Sequence, residues 1–139
     1  MAGETIKLEI ITPERVIFSQ EVTNVVVPGE LGDFSALPGH APFISLLRAG
    51  VVVVFNETTV FEKIFVSGGF AEITPSHCAI LATQAVNVEQ INRAQLEKQI
   101  SHLQEDQKLE TKPEQQVFYE KQLVVMQAKI DALEPNVYG

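Results

Sequence analysis

The chain has 139 residues, of which 45% are hydrophobic and 20% are charged, with a formal net charge of -8 and a pI near 4.8. This length supports one hydrophobic core plus a small appendage, and the acidic balance excludes nucleic acid as an expected partner, because phosphate binding depends on clustered Lys and Arg. Direct membrane insertion is not expected either, since the longest apolar run, residues 51–55, is far below the about 20 residues of a membrane-spanning helix.

The first 85 residues read as short strands separated by turn residues. In residues 5–12, Ile and Leu at alternate positions face Lys and Glu at the positions between, which is typical of a half-buried strand. Further strands are predicted at residues 16–18, 22–27, 43–47, 51–55, 59–66, 70–73 and 78–82. The breaks between them are too short for helical crossovers, so the pattern predicts an antiparallel β-sandwich of about 8–10 strands.

Residues 28–42, PGELGDFSALPGHAP, form the densest turn cluster in the chain. Because Gly permits positive φ and Pro fixes φ, this segment is predicted to be a pre-shaped surface loop that presents Glu30, Asp33 and His40. His40 with Glu30 or Asp33 could form an acid–base pair, but catalysis requires further groups that converge on the same site. No nucleophile motif, phosphate-binding glycine loop or zinc-ligand spacing accompanies these residues, so no catalytic residue and no metal site are predicted.

Two other motifs indicate structure rather than chemistry. The tripeptide at residues 56–58, Asn-Glu-Thr, fits a glycosylation acceptor, but it is interpreted as a hairpin turn because no secretion signal precedes it. The single cysteine, Cys78, lies in a predicted strand and is expected to be buried and inert.

The hydrophobic period changes from 2 to 3.6 at Asn87, which divides the chain into a sandwich domain at 1–85 and a helical domain at 86–139. Asn87 is predicted to cap a helix that pairs Glu89 with Arg93 and ends near residue 104. Apolar residues at positions 88, 91, 96, 100 and 103 supply its buried stripe.

A second helix is predicted to begin at a capping box formed by Thr111 and Glu114, which makes the C-terminal part a two-helix antiparallel hairpin. This helix carries two apolar stripes. One is a heptad seam, and its members are Tyr119, Leu123, Met126, Ile130 and Leu133. The other consists of Val117, Phe118, Val124, Val125 and Ala128. One helix partner covers one stripe, so the other must meet the sandwich or another protein.

Three motifs in this order resemble the epsilon subunit of F-type ATP synthases. They are ELG at residues 30–32 followed by PGHAP at 38–42, LRAGV at 47–51, and VSGGF at 66–70. Together they extend over most of the first 85 residues and precede a helical hairpin of suitable length. The five residues between ELG and PGHAP are more than many bacterial relatives have at this point.

The resemblance implies a non-catalytic subunit of the central stalk of the rotor, which links the gamma subunit to the c-ring and couples proton flow to ATP synthesis. It implies a peripheral location at the cytoplasmic face of the bacterial inner membrane, and contact of the hairpin with the beta subunit. On the matching motifs, Glu30, Leu31, Gly32 and His40 are the candidate interface residues toward the c-ring and gamma.

The same resemblance raises nucleotide binding, because some relatives bind ATP through a motif like Ile-Asp-x-x-Arg-Ala in the first helix. Arg93 and Ala94 match the end of that motif, but Gln90 stands where the Asp would be. From Glu114 onward there is no Arg, and Lys does not reproduce the bidentate grip of Arg on phosphate. We therefore predict weak or absent ATP binding, no cofactor, and weak inhibition of ATP hydrolysis by the hairpin.

A second hypothesis comes from another class of protein. The sandwich could be a free-standing module that recognises a peptide or small ligand, with the hairpin dimerising through its heptad seam. Co-purification with gamma and the c-ring distinguishes the two hypotheses.

Overall fold

A computed structural model describes residues 4–138 and shows ten strands in two five-stranded sheets, followed by two α-helices. The strands are β1 (Ile6–Ile11), β2 (Val16–Val22), β3 (Asn24–Gly29), β4 (Gly32–Ala36), β5 (Phe43–Leu46), β6 (Gly50–Asn56), β7 (Thr59–Ser67), β8 (Phe70–Ile73), β9 (His77–Leu81) and β10 (Gln84–Asn87). A 3-10 turn at Val88–Gln90 leads to α1 (Arg93–Leu109) and α2 (Pro113–Ala132). The predicted α+β architecture, a β-sandwich followed by two helices, is confirmed.

The first sheet has the order β2-β1-β9-β8-β5, and the second has the order β10-β7-β6-β3-β4. Their inner faces enclose one core. In β1 the predicted alternation holds, since Ile6, Leu8 and Ile10 are fully buried while the residues between them are half-buried. Valines and isoleucines of β3, β6, β7 and β9 complete this core from the other strands. Cys78 lies within it, as predicted, and burial raises the pKa of its thiol to about 12.

The sandwich is not antiparallel throughout, because β1 and β9 pair in parallel at the centre of the first sheet. This parallel pair differs from the prediction, which followed from the lack of room for helical crossovers between the strands. Here the connection between the two strands is the rest of the sandwich itself, β2 to β8, so no crossover helix is required.

The second sheet is buried on both of its faces. Val52 and Val54 of β6 face the inner core, and Val53 between them is also buried, with 1% of its surface exposed. Phe65 of β7 is likewise fully buried outside the inner core. Helix α2 covers this outer face, where the Lys129 ammonium lies 5.8 Å from the centroid of the Phe65 ring. Two-sided burial explains why residues 51–55 are apolar without alternation.

The turn cluster at residues 28–42 is more regular than predicted. Its first half is a β-hairpin, in which β4 pairs with β3 from Val25↔Ala36 to Gly29↔Gly32. Neither β4 nor β10 was predicted, because each is short and contains Gly, Asp, Gln or Asn, which are uncommon in strands. The hairpin turn after Asn56 is confirmed, and Glu57 takes a positive φ of 59° there.

The predicted start of the first helix at Asn87 is wrong. Asn87 still pairs with Ile64 in the sheet, and its side chain accepts a hydrogen bond from the Glu89 amide at 2.9 Å, so it caps the 3-10 turn. The α-helix begins after Asn92, whose side chain accepts from the Gln95 amide at 3.0 Å. Glu89 therefore lies outside the helix, and its predicted pair with Arg93 is replaced by an ion pair of Arg93 with Glu97.

Helix α1 also extends five residues beyond its predicted end at residue 104, to Leu109. The predicted capping box of α2 is not formed. Lys112 is the N-cap with no side-chain hydrogen bond, and Pro113 opens the helix. A residue that precedes Pro is disfavoured in the helical region, so Lys112 cannot be the first helical residue that a Thr111 cap requires.

The two helices are antiparallel, as predicted. Near their connection the Gln116 amide group donates to the Gln107 carbonyl at 2.7 Å, and at the other end Arg93 forms an ion pair with Glu134. The heptad seam of α2 is half-buried along its length. In the second stripe, Val117, Phe118 and Val124 remain about half exposed, so residues 4–138 leave this part of the stripe uncovered.

Removal of the helices should leave a folded but less stable sandwich. We expect a chain that ends after Ile91 to keep a β-sheet circular dichroism spectrum, to bind a hydrophobic dye, and to lose roughly 2 kcal/mol or more of unfolding free energy, because Phe65 and Val53 lose their cover. Urea denaturation measures the loss. The substitution Phe65→Thr in the truncated chain is the control and should reduce dye binding. An unchanged urea midpoint without dye binding would contradict the two-sided burial of the second sheet.

Candidate interaction surface

The predicted interface residues Glu30, Leu31 and Gly32 lie at the tip of the β3–β4 hairpin. Glu30 and Leu31 connect the two strands, and the side chain of Leu31 is fully exposed. Gly32 has a φ of +138°, a backbone conformation that residues other than Gly rarely adopt. The Glu30 amide donates to the Leu46 carbonyl at 2.8 Å, which holds the base of the tip against β5 of the opposite sheet.

Arg48 fixes the flank of this tip. Its guanidinium donates to the Gly29 carbonyl at 2.7 Å and forms an ion pair with Asp33 at the start of β4. The Arg48 amide in turn donates to the Pro28 carbonyl at 3.1 Å. The LRAGV motif therefore braces the hairpin that the ELG motif forms.

The fourth predicted residue, His40, lies in the connection between β4 and β5 and is half-buried. Its Nδ1 contacts the Ala41 carbonyl oxygen at 2.5 Å, within the same loop. The His40 ring lies 6.2 Å from the ring of Phe43, which packs edge-to-face on Phe34 of β4 at 5.2 Å. His40 is thus joined to the hairpin through two aromatic rings.

A feature that the sequence analysis missed is a row of apolar side chains across the outer face of the first sheet. Successive strand pairs place these residues opposite one another, in the order Leu46, Phe70, Leu81, Ile11 and Val16. Leu46 is 59% exposed, Leu81 39% and Val16 54%, and Phe70 and Ile11 are half-buried. The five residues are far apart in the sequence, and they lie side by side only because of the register in which the strands pair.

The apolar row begins beside the hairpin tip, since Leu46 accepts the hydrogen bond of Glu30. The VSGGF motif makes this end of the sheet possible. A Cβ atom on Gly69 would lie 1.8 Å from the Leu81 carbonyl oxygen, so a side chain there would push β9 away. The hairpin tip and the apolar row therefore form one continuous end of the sandwich.

The residues of the predicted degenerate nucleotide site do not converge. Gln90 lines a cavity of about 200 Å³ together with Lys129, whereas Arg93 points elsewhere and pairs with Glu97 and Glu134. The hydrogen bond to Glu134 raises the pKa of Arg93. Ala94 lies exposed in the first turn of α1. A cavity of this size is below the about 300 Å³ that small-molecule sites commonly have.

Among residues 4–138, no three His, Cys, Asp or Glu side chains converge in a way that could hold a metal ion. No helix in that range combines the length and the hydrophobicity that a membrane crossing needs.

A ten-stranded sandwich with a helical hairpin on one face and an apolar, braced end on the other defines a protein of the subunit-interaction class. Residues 5–88 match the family of ATP synthase delta/epsilon chain β-sandwich domains. The chain belongs to this family, the epsilon chains of ATP synthase, as the resemblance predicted. It is a non-catalytic subunit of the central stalk of an F-type ATP synthase, which is a membrane-associated complex.

The relatives are similar over most of their length. The ATP synthase epsilon chain of Rhodospirillum centenum is 43% identical over 136 residues, which cover 94% of this chain and 93% of the relative. That of Rhodospirillum rubrum is 44% identical over 74% of this chain and 80% of the relative. A chain of the Euglena gracilis mitochondrial ATP synthase shares the fold with a TM-score of 0.81 at 20% identity, over 96% of this chain and 84% of that one.

We expect ATP to bind the isolated chain weakly or not at all. The Arg93 guanidinium is already paired with carboxylates, and the residues of the predicted nucleotide site do not converge on one pocket. Isothermal titration calorimetry with ATP measures this. The variant Glu134→Gln, which frees Arg93 from one carboxylate, serves as the matched comparison and should bind no more weakly than the natural chain. Micromolar affinity in the natural chain would contradict the expectation.

Proposed function

We propose that this subunit joins the gamma subunit to the c-ring through two adjacent surfaces at one end of its sandwich, and so couples proton flow to ATP synthesis. The proposal includes a position at the cytoplasmic face of the bacterial inner membrane and a division between a sandwich at 1–85 that binds the stalk and a hairpin at 86–139. The observation that carries it is the continuity of the apolar row with the braced hairpin tip.

The apolar row is assigned to the gamma subunit. Five strands lie side by side at about 4.8 Å, so the row is about 19 Å long. Exposed apolar side chains in such an arrangement mark protein contact surfaces, because their burial supplies the hydrophobic driving force for association. Permanent interfaces between subunits are large and hydrophobic, and the apolar row has the composition expected for such an interface with a stalk partner.

The hairpin tip is assigned to the polar loops of the c-ring. It is narrow, it presents the Glu30 carboxylate beside the exposed Leu31 side chain, and the Arg48–Asp33 pair braces it. A small contact of this kind sets register more than affinity, since exposed charges contribute modestly to binding. His40 supports the tip from behind through Phe43 and Phe34.

The free-standing dimer module is disfavoured by the arrangement of the helices. Its proposed dimer contact, the heptad seam of α2, is half-buried because α1 packs against α2 in the same chain. Dimerisation through the seam would have to displace α1 and break the Arg93–Glu134 ion pair.

The hairpin is proposed to regulate weakly. From residue 114 onward α2 and the tail carry four carboxylates against Lys121 and Lys129, and the Lys129 ammonium lies over the Phe65 ring. A helix of net negative charge is repelled by an acidic segment of the beta subunit. Contact with beta, where it occurs, therefore inhibits ATP hydrolysis little.

The substitution Leu81→Asp should weaken binding to the gamma subunit about tenfold or more, because it places a charge at the centre of the apolar row. Bio-layer interferometry with purified gamma measures the affinity. Val124→Asp, at a half-exposed apolar position on α2, is the matched control and should bind normally. Both variants should unfold close to the natural temperature. Unchanged gamma affinity in Leu81→Asp would show that gamma binds elsewhere.

The double substitution Glu30→Lys with His40→Ala should leave binding to gamma intact and loosen coupling, because it alters the tip and its support without touching the row. Proton pumping and ATP hydrolysis in reconstituted vesicles measure the ratio of the two activities. Glu30→Ala alone should have a modest effect, since one exposed charge contributes about 0.2–1 kcal/mol. Normal coupling in the double variant would assign the c-ring contact to another face.

A further inference from the structure

The segment that follows α2, residues 134–138, returns to the β3–β4 hairpin. After α2 ends, Tyr138 reaches the start of β4, where its hydroxyl donates to Asp33 Oδ2 at 3.0 Å. Its ring packs edge-to-face on Phe55 of β6, with 6.4 Å between the ring centroids. The tail thus crosses from the end of α2 to the far edge of the second sheet.

Asp33 joins three parts of the molecule. Its Oδ2 accepts from Tyr138, and its Oδ1 pairs with the guanidinium of Arg48. Arg48 also donates to the carbonyl of Gly29, the last residue of β3 before the tip. One carboxylate therefore connects the C-terminal tail with both strands of the hairpin.

The other end of the tail is fastened as well. Glu134, which follows the C-cap residue of α2, forms an ion pair with Arg93 in the first turn of α1. Residues 134–138 consequently span from the base of the helical hairpin to the β3–β4 hairpin. We call this segment the strap.

We propose that the strap is a releasable latch that couples the docking of the helical hairpin to the conformation of the β3–β4 hairpin. Its contacts are at the surface, because the side chains of Asp33 and Arg48 are 35% and 44% exposed, and exposed pairs are weak. A cavity of about 220 Å³ is lined by Asn136 and Tyr138 of the strap together with Asp33 and Val53 of the sheet, so the strap is not closely packed on the sheet along its whole length.

The coupling is reciprocal by thermodynamic necessity. If docking of the strap restricts β4, then any partner that restricts β4 favours docking of the strap by the same factor. The identity of that partner as the c-ring rests on the proposed function. The coupling within the chain does not, and it can be measured on the isolated protein.

The test is hydrogen–deuterium exchange of the full chain, read at the amides of β4 and of the last turn of α2. In Tyr138→Phe the ring remains on Phe55 but the hydrogen bond to Asp33 is lost. We expect exchange to rise about two- to tenfold at both sites, which corresponds to the loss of one hydrogen bond. Tyr119→Phe, on the seam of α2, is the matched control and should change neither site.

A second variant separates the latch from a local effect. In an Asp33→Ala background the Tyr138→Phe substitution should produce no further rise in exchange at β4, because its acceptor is already gone. An additive rise, or a rise in the tail alone with β4 unchanged, would overturn the proposal. Both results leave the assignment of gamma and the c-ring untouched, because those assignments are tested by binding and coupling.

Discussion

The burial of the second sheet on both faces is the constraint on which the rest of the structure depends. A sheet with Val53 and Phe65 on its outer face loses stability when that face meets water, and α2 covers it. This contact fixes where the helical hairpin lies, which brings the tail to Asp33 and Glu134 to Arg93. The position of the helices is therefore decided by the sheet, because hydrogen bonds at the helix ends are too exposed to decide it.

The same asymmetry leaves the outer face of the first sheet open. With the helices on one side, the apolar row from Leu46 to Val16 has no cover within residues 4–138. In the proposed function this open face binds the gamma subunit, and the hairpin tip at the end of the row contacts the c-ring. The contacts of Arg48 hold the tip in place before binding, which reduces the conformational entropy lost when it binds.

The chemistry of the hairpin differs from what its motif suggests. Arg93 and Ala94 are present, but Arg93 bonds to carboxylates of its own chain, and Gln90 faces a small cavity with Lys129. Polar residues that could contact a nucleotide instead hold the helices together and to the sandwich. The helical hairpin covers the second sheet. In our proposal the strap couples the docking of this helical hairpin to the conformation of the β3–β4 hairpin.

The sequence by itself determined eight of the ten strands, the two helices and the family. The alternation in residues 5–12 and the change to a period of 3.6 near Asn87 depend on local geometry, and the three motifs gave Glu30, Leu31, Gly32 and His40 as candidate interface residues. Tertiary structure decided what depends on distant pairing. The parallel partner of β1, the retention of Asn87 in the sheet, the apolar row and the Tyr138–Asp33 contact each join residues far apart in the chain. Local propensity does not specify such contacts, because burial and register across the whole fold select them.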